Sequence, residues 1–235
     1  MNLQTVSINN FNLFAIGNTE LLKRKKVAIV GSRRASKYSK EMTYLLAKKL
    51  SKKFTIISGG ALGIDTEAHK GAFPNTILVS PSSLDKIYPK SNENLIKSIY
   101  KEALALSEYE KDFSPKKYTF IQRNRIIIAL SEFVIIPEAS LKSGSMRSFE
   151  WAQKFSKKVY IIPQRLTESS GTRYLASKNL AEVIWDIDEF IENLGINSKE
   201  KIMSLNEALK TYGDKLYEME LEGKVEIKNA KVYFN

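Results

Sequence analysis

The sequence predicts an α/β fold: a doubly wound, mainly parallel sheet followed by a small C-terminal winged-helix-like unit. Three observations predict it. Short apolar runs such as Val27-Ala28-Ile29-Val30 and Thr76-Ile77-Leu78-Val79 alternate with segments whose apolar residues recur at helical spacing. Most of these runs stop at Gly, Ser or Pro, as strands feeding tight turns do. The stretch 27–65 holds two such runs joined by one basic helix, the smallest unit of a parallel sheet.

Residues 1–26 carry Phe11, Leu13, Phe14, Ile16, Leu21 and Leu22 around Gly17-Asn18. They read as a short arm packing on the domain, too small for a core of its own. The basic run 23–26 reads as a solubilising ramp into the first strand, 27–30, which Gly31-Ser32 breaks. Tyr38, Met42, Leu45, Leu46 and Leu50 then mark a helix with lysines on its other face. Residues 55–57 form the second strand, broken by Ser58-Gly59-Gly60. Crossovers are right-handed, so both glycine turns lie at one sheet edge, where open α/β sheets take ligands. A helix runs on from Asp65 and stops at Pro74-Asn75. Strands follow at 76–79, 103–106, 133–136, 159–162 and 182–185. Helices intervene at 92–100, 118–130, 145–155 and 172–179, and one follows at 187–194. A hinge at 195–198 leads to helices at 205–209 and 215–221 and a hairpin of 225–227 with 232–234. The predicted units are therefore 1–26, 27–194 and 199–235.

Composition narrows the function. The 235 residues are 43% hydrophobic, enough for a core, and no apolar run approaches the length of a membrane span. The start lacks the pattern of a signal peptide. With no cysteine and one histidine, disulfides, thiolate sites and transition-metal catalysis are not expected. A cytoplasmic protein without cofactor or membrane anchor is the expectation. The net charge of +11 points to a polyanion as partner, and residues 199–235 carry seven basic and seven acidic residues, so the excess lies in the α/β part.

Three glycine loops end strands and open helices: Gly31-Ser32-Arg33-Arg34, Ser58-Gly59-Gly60-Ala61-Leu62-Gly63 and Ser143-Gly144-Ser145. Backbone N–H groups at such places can donate to a phosphate, although each loop alone is also an ordinary tight turn. None is a dinucleotide fingerprint or a Walker loop. Arg33 and Arg34 can chelate phosphate and stack on bases. Lys116, Lys117, Tyr118 and Phe120 precede Arg123-Asn124-Arg125, interleaving cations and rings as single-stranded nucleic acid requires. Two readings of Phe120 stand, base contact or core residue. Arg125 reads either as a contact or as a structural arginine paired with Glu108 or Glu138. His69 reads as a helix-surface or capping residue. Asp65, Glu138 and Glu150 could form a carboxylate cluster, but nothing in their spacing demands it.

The pieces VAIVGSRR, Tyr38-Ser39, ISGGALGIDTEAHKGAF, Ile87-Tyr88-Pro89 followed by Asn92, LSEY at 106–109, FIQRNRIIIALSEFVIIPEA at 120–139 and SGSMRSFEWA at 143–152 run in one order over roughly residues 27–185. In this the chain resembles the DNA-processing protein A (DprA/Smf) family of natural transformation, and looks most like its epsilon-proteobacterial branch. The resemblance implies an extended Rossmann fold that binds single-stranded DNA without hydrolysing it. It implies a homodimer that protects incoming strands and helps load the recombinase RecA. It places DNA contacts on Arg33, Lys117 and Phe120, on Ser58, Gly59 and Gly60, and on Ser143, Gly144 and Ser145. Arg34, Arg123, Asn124 and Arg125 join that set. The family's N-terminal helical domain is absent or reduced to residues 1–26, and the C-terminal unit is short.

Two other readings stand beside this one. The loop from Pro137-Glu138 through Gly144 to Glu150 faintly resembles the P-G-G-x-G-T-x-x-E signature of nucleotide phosphoribohydrolases, which makes a small-molecule enzyme the alternative. In the other, compatible with single-stranded DNA binding, the protein is an interaction scaffold whose tail recruits protein partners.

Overall fold

The computed structural model describes residues 3–196 and 202–234. Residues 1–185 form one compact unit and residues 186–235 a second. The first unit begins with β1 (Gln4–Ile8), β2 (Phe11–Gly17), β3 (Lys26–Ile29), α1 (Lys37–Leu50), β4 (Thr55–Ser58) and α2 (Ile64–Ala72). It continues with β5 (Thr76–Val79), α3 (Glu93–Glu102), β6 (Leu104–Ser107), α4 (Lys117–Ala129) and β7 (Phe133–Ile135). It closes with α5 (Gly144–Lys154), β8 (Lys158–Ile161), α6 (Ser170–Ser177) and β9 (Glu182–Val183). Every residue of β3, β4, β5 and β6 is buried, as strands covered on both faces must be.

Among the described residues these strands make a nine-stranded sheet in the order β1-β2-β6-β5-β4-β3-β7-β8-β9. All pairs from β6 across to β9 are parallel. From β3 the chain winds outward through β4, β5 and β6, then returns to the far side of β3 and winds on through β7, β8 and β9. Right-handed crossovers put α1 and α2 on one face and α4 and α5 on the other, and each pair packs together. This is the doubly wound, mainly parallel sheet expected from the sequence. The winding reverses between β3 and β7, and the crevice beyond their C-terminal ends is the natural ligand position.

The N-terminal residues depart from the expected packing arm. β1 and β2 form a hairpin in the register Ile8↔Phe11, and β2 adds antiparallel to β6 from Phe14↔Ser107 to Gly17↔Leu104. Its turn is Asn9-Asn10, both left-handed at φ 46° and 65°, as a two-residue hairpin turn requires. Leu13 and Ala15 thereby enter the main core. The basic run into β3 is a solvated ramp only in part: Lys23 and Lys25 are exposed, Arg24 and Lys26 are not. Lys26 is 7% exposed and donates to the carbonyls of Leu22 at 2.6 Å and Arg24 at 2.8 Å. Arg24 donates to the Ser51 carbonyl at 2.9 Å.

His69 is also displaced from its expected place, because it is fully buried with Asp65, Ala68 and Ala72 along one stripe of α2. Its Nδ1 lies 2.7 Å from Thr76 Oγ1, whose own proton goes to the Ile56 carbonyl at 2.9 Å. Nδ1–H is therefore the donor, and Nε2 is buried without a partner. Burial, and then the charge of Arg123, pull its pKa from 6.5 down to about 3. Below about pH 6.5 the unfolded chain takes up a proton that the folded chain refuses. Stability is thus expected to fall with acidification, by up to about 1.4 kcal/mol per pH unit. Asp65, whose pKa is raised mainly by burial, acts with the opposite sign. Urea midpoints of the wild type and His69→Leu between about pH 7 and about pH 5 isolate the histidine. The wild type should lose stability faster; parallel curves would refute the assignment.

The second unit contains α7 (Ile187–Asn193), β10 (Ile202–Ser204), α8 (Leu205–Tyr212), α9 (Lys215–Leu221), β11 (Val225–Lys228) and β12 (Lys231–Phe234). Its sheet has the order β10-β12-β11. Ala208, Leu216, Val225 and Val232 form its core. Ser204 caps α8, reciprocated by Glu207. The expected helix pair and hairpin are present, and β10 joins them as a strand the sequence pattern did not announce. The predicted hinge at 195–198 falls partly outside the described residues.

Candidate nucleic-acid interface

Three loops and the first turns of α4 converge beyond the ends of β3 and β7. Gly31 follows β3 because nothing larger fits. A Cβ there would sit 2.6 Å from Ile64 Cγ1 and 2.9 Å from the Glu138 carbonyl oxygen. Glu138, after β7, holds this loop across the crevice. Its carbonyl accepts the Ser32 N–H at 2.8 Å and its carboxylate the Ser36 N–H at 2.8 Å. Arg33 and Arg34 are left exposed at the tip.

The second loop closes on the first. Ile64 N–H donates to the Ser32 carbonyl at 3.2 Å. Gly63 has φ +80°, and a Cβ on it would collide with the Ser32 carbonyl and the Arg33 backbone. Gly63→Ala is expected to cost about 1–3 kcal/mol from its backbone conformation alone. It should also push the Ser32–Arg33 peptide out of place. A urea midpoint unchanged from wild type would show that this contact does not constrain the loop.

α4 supplies the opposite wall. Lys117 is exposed and Phe120 half-buried. The Arg33 guanidinium lies 5.0 Å above the Phe120 ring, and Tyr88 packs edge-on to the same ring at 5.4 Å. The third loop leads into α5, where the Ser143 side chain caps no backbone N–H and its hydroxyl is buried without a partner. Gly144 has no heavy atom within 4 Å of its Cβ position, so a ligand can approach the backbone there. Together these groups line an open cleft of about 700 Å³.

The cleft brings together Arg33, Arg34, Lys117, Phe120, Arg123, Asn124, Ser143, Gly144 and Ser145. Arg123 lies in its floor rather than on its wall. It is 4% exposed and donates through Nη1 to the carbonyls of Gly59 and, at 2.8 Å, Val79. Burial is the main cause that pulls its pKa to about 10, and Asp65 works against that fall. Asp65 is the one carboxylate in the lining, and it too is buried, receiving the Ala61 N–H at 3.4 Å. Asn124 donates to Ser148 Oγ at 2.9 Å and so joins α4 to α5.

Four of the residues expected to contact DNA do not line the cleft. Ser58 is buried and donates to the Ile29 carbonyl at 2.6 Å. The Gly59 carbonyl faces Arg123, and the Gly60 carbonyl accepts from Asn92 at 3.0 Å. These three therefore brace the second loop from behind. Arg125 pairs with Glu108 and lies 5.0 Å over the Phe11 ring, the structural alternative the sequence left open. Glu138 and Glu150 stay apart from Asp65. Glu138 holds Ser36, and Glu150 pairs with Arg147 at 2.9 Å. No group of His, Asp and Glu side chains suited to a metal ion occurs among the described residues. Sequence reasoning missed Tyr88 and Ile121 as lining residues. Tyr88 was within reach, since it sits in the Ile87-Tyr88-Pro89 piece.

Comparison with known proteins agrees with this architecture. The family model of DNA recombination-mediator protein A matches residues 1–195. The DNA processing protein DprA of Streptococcus pneumoniae is 41% identical over 168 residues, 69% of this chain and 60% of that protein. This chain thus spans less than two thirds of that relative's length. A solved structure of DNA processing protein A from Helicobacter pylori, described for its single-stranded DNA binding mode, superposes with a TM-score of 0.80. It is 48% identical, and the match covers 82% of this chain and 95% of that one. The X-ray structure of the Streptococcus pneumoniae protein gives a TM-score of 0.72 at 37% identity, over 77% of this chain and 65% of that one. With its fold, its loop series and these matches in agreement, the chain belongs to the DNA recombination-mediator protein A family.

Proposed function

We propose that the crevice between β3 and β7 binds single-stranded DNA. On this reading the protein is a homodimeric, cytoplasmic recombination mediator of natural transformation that protects incoming strands and helps load a RecA-type recombinase. One observation carries the binding reading. Three exposed cations, Arg33, Arg34 and Lys117, share a cleft with the rings of Phe120 and Tyr88, and its one carboxylate is buried against Arg123. Cations take the backbone and rings take unstacked base faces, which a duplex hides. The single-stranded DNA binding described for the Helicobacter pylori relative supports the same assignment. Arg33, Arg34, Lys117, Phe120, Asn124, Ser143, Gly144 and Ser145 then contact the strand. Ser58, Gly59, Gly60, Arg123 and Arg125 hold the frame. The order α7, β10, α8, α9, β11, β12 supports a winged-helix reading of the second unit. The even charge of residues 199–235 supports a protein partner for it over duplex DNA.

Fluorescence anisotropy with oligothymidine and with a duplex of equal length tests this. The single strand should bind more tightly, and its affinity should fall with salt at a slope of about −0.7 per neutralised phosphate, about −2 for three cations. Equal affinity for both, or a flat salt response, would count against it. The enzymatic alternative is not favoured, because Glu138 and Glu150 are committed to Ser36 and Arg147 and neither lines the cleft.

A further inference from the structure

Beyond the cleft itself, the outer face of α4 presents an unusual surface. Tyr118 is 48% exposed and Ile121 44% exposed, three residues apart on the helix and therefore adjacent. Lys117, four residues before Ile121, is its neighbour on the helix. Large apolar side chains so exposed carry a hydration cost that a bound apolar surface removes. Two further facts say what that surface is. Ile121 and Lys117 both line the cleft, so the patch is continuous with it. The neighbouring charges are positive: Lys116 and Lys117 begin the helix, which has no acidic residue in its first turn. A ring, an aliphatic side chain and a cation in one patch match one nucleotide, its base on the apolar pair and its phosphate on the ammonium.

We infer that Tyr118 and Ile121, with Lys117 between the patch and the cleft, form a second base platform, which takes the nucleotide next to the one held in the cleft. The inference rests on the single-strand reading of the cleft and extends it along the strand. Phe120 points to the cleft, where Arg33 and Tyr88 pack on it, while Tyr118 faces the solvent. The helix therefore divides its two rings between two neighbouring positions. Across the cleft Leu141, 48% exposed, follows the lining residue Ser140, giving the exit an apolar lip on the other side.

Oligothymidines of about four and about twelve nucleotides separate the platform from the cleft. Wild type should bind the longer strand more tightly than length statistics alone allow. Tyr118→Ala, which leaves every lining residue of the cleft in place, should lose about 5- to 100-fold on the longer strand and less than about twofold on the shorter. Its salt slope should be unchanged, since no cation is removed. Tyr118→Phe should bind as wild type does, because the ring face remains. Bromodeoxyuridine placed outside the cleft should photo-cross-link to Tyr118. An unchanged affinity for the longer strand, or equal losses on both lengths, overturns the platform. So does a Tyr118→Ala variant whose only change is its oligomeric state by light scattering, which would assign the patch to a second copy of the chain. Wild type that binds neither length overturns the single-strand reading itself, and the platform with it.

Discussion

Arg33→Ala is expected to weaken oligothymidine binding about 10- to 100-fold while leaving the fold intact. The side chain is exposed, so its removal leaves no buried cavity and no orphaned core group. On the proposed reading the loss is a charge-assisted contact to phosphate, worth about 1.5–3 kcal/mol. The 5.0 Å contact with Phe120 goes as well. Because the contact is to the backbone, the loss should be alike for all base sequences, and the salt slope should flatten by about one phosphate's worth. Anisotropy titrations at several salt concentrations read both quantities, and circular dichroism checks the fold. Arg33→Lys keeps the charge but not the planar fork and should recover part of the loss. A variant with wild-type affinity and slope would remove Arg33 from the interface and leave Arg34 and Lys117 to carry it.

Much of this arrangement was legible because the physics involved is local. A strand buried on both faces must be largely apolar, so β3, β4, β5 and β6 announced themselves, and the glycines after β3 and β4 marked the crevice. The N-terminal hairpin was legible in principle. Asn9-Asn10 between two alternating runs is a two-residue turn signal, but the runs are short and pair with a strand far along the chain. The arginines of α4 show the limit of residue type as a guide. Arg123 and Arg125 flank one asparagine with identical chemistry, yet one lies in the floor of the cleft and the other pairs with Glu108. Helical period separates them. Arg123 shares a stripe with Thr119, Ile126 and Ile127, all buried, whereas Arg125 is rotated away from it. The same period places His69 with Asp65, Ala68 and Ala72. Lys26 was opaque for another reason: its partners are carbonyls, which leave no mark in a sequence.

Arg123 is where fold and site depend on one group. Its guanidinium ties α4 to the end of β5 through Val79 and to the second glycine loop through Gly59. Asp65, on α2 and fully buried, owes part of its charged state to it. Arg123→Met keeps much of the volume but takes the compensating charge from that buried carboxylate and the donor from two carbonyls, and should cost about 3–5 kcal/mol. For a chain of this size that is on the order of a 10 °C fall in Tm. The sign of its pH dependence is fixed by Asp65. The carboxyl's folded pKa is already raised by burial, and losing Arg123 raises it further. A group whose folded pKa is raised contributes stability at low pH and loses it as pH rises, so the deficit of Arg123→Met should shrink on acidification. His69 pushes the same way, since Arg123 is one cause of its lowered pKa. Arg123→Met/Asp65→Asn should recover part of the loss, because the uncompensated charge is gone. DNA affinity should fall in the single variant even where it is fully folded, because Gly59 and the loop that abuts the Arg33 backbone lose their anchor. Should Arg123→Met melt within a degree or two of wild type, with a deficit independent of pH, the guanidinium would not be the tie that holds the floor of the cleft.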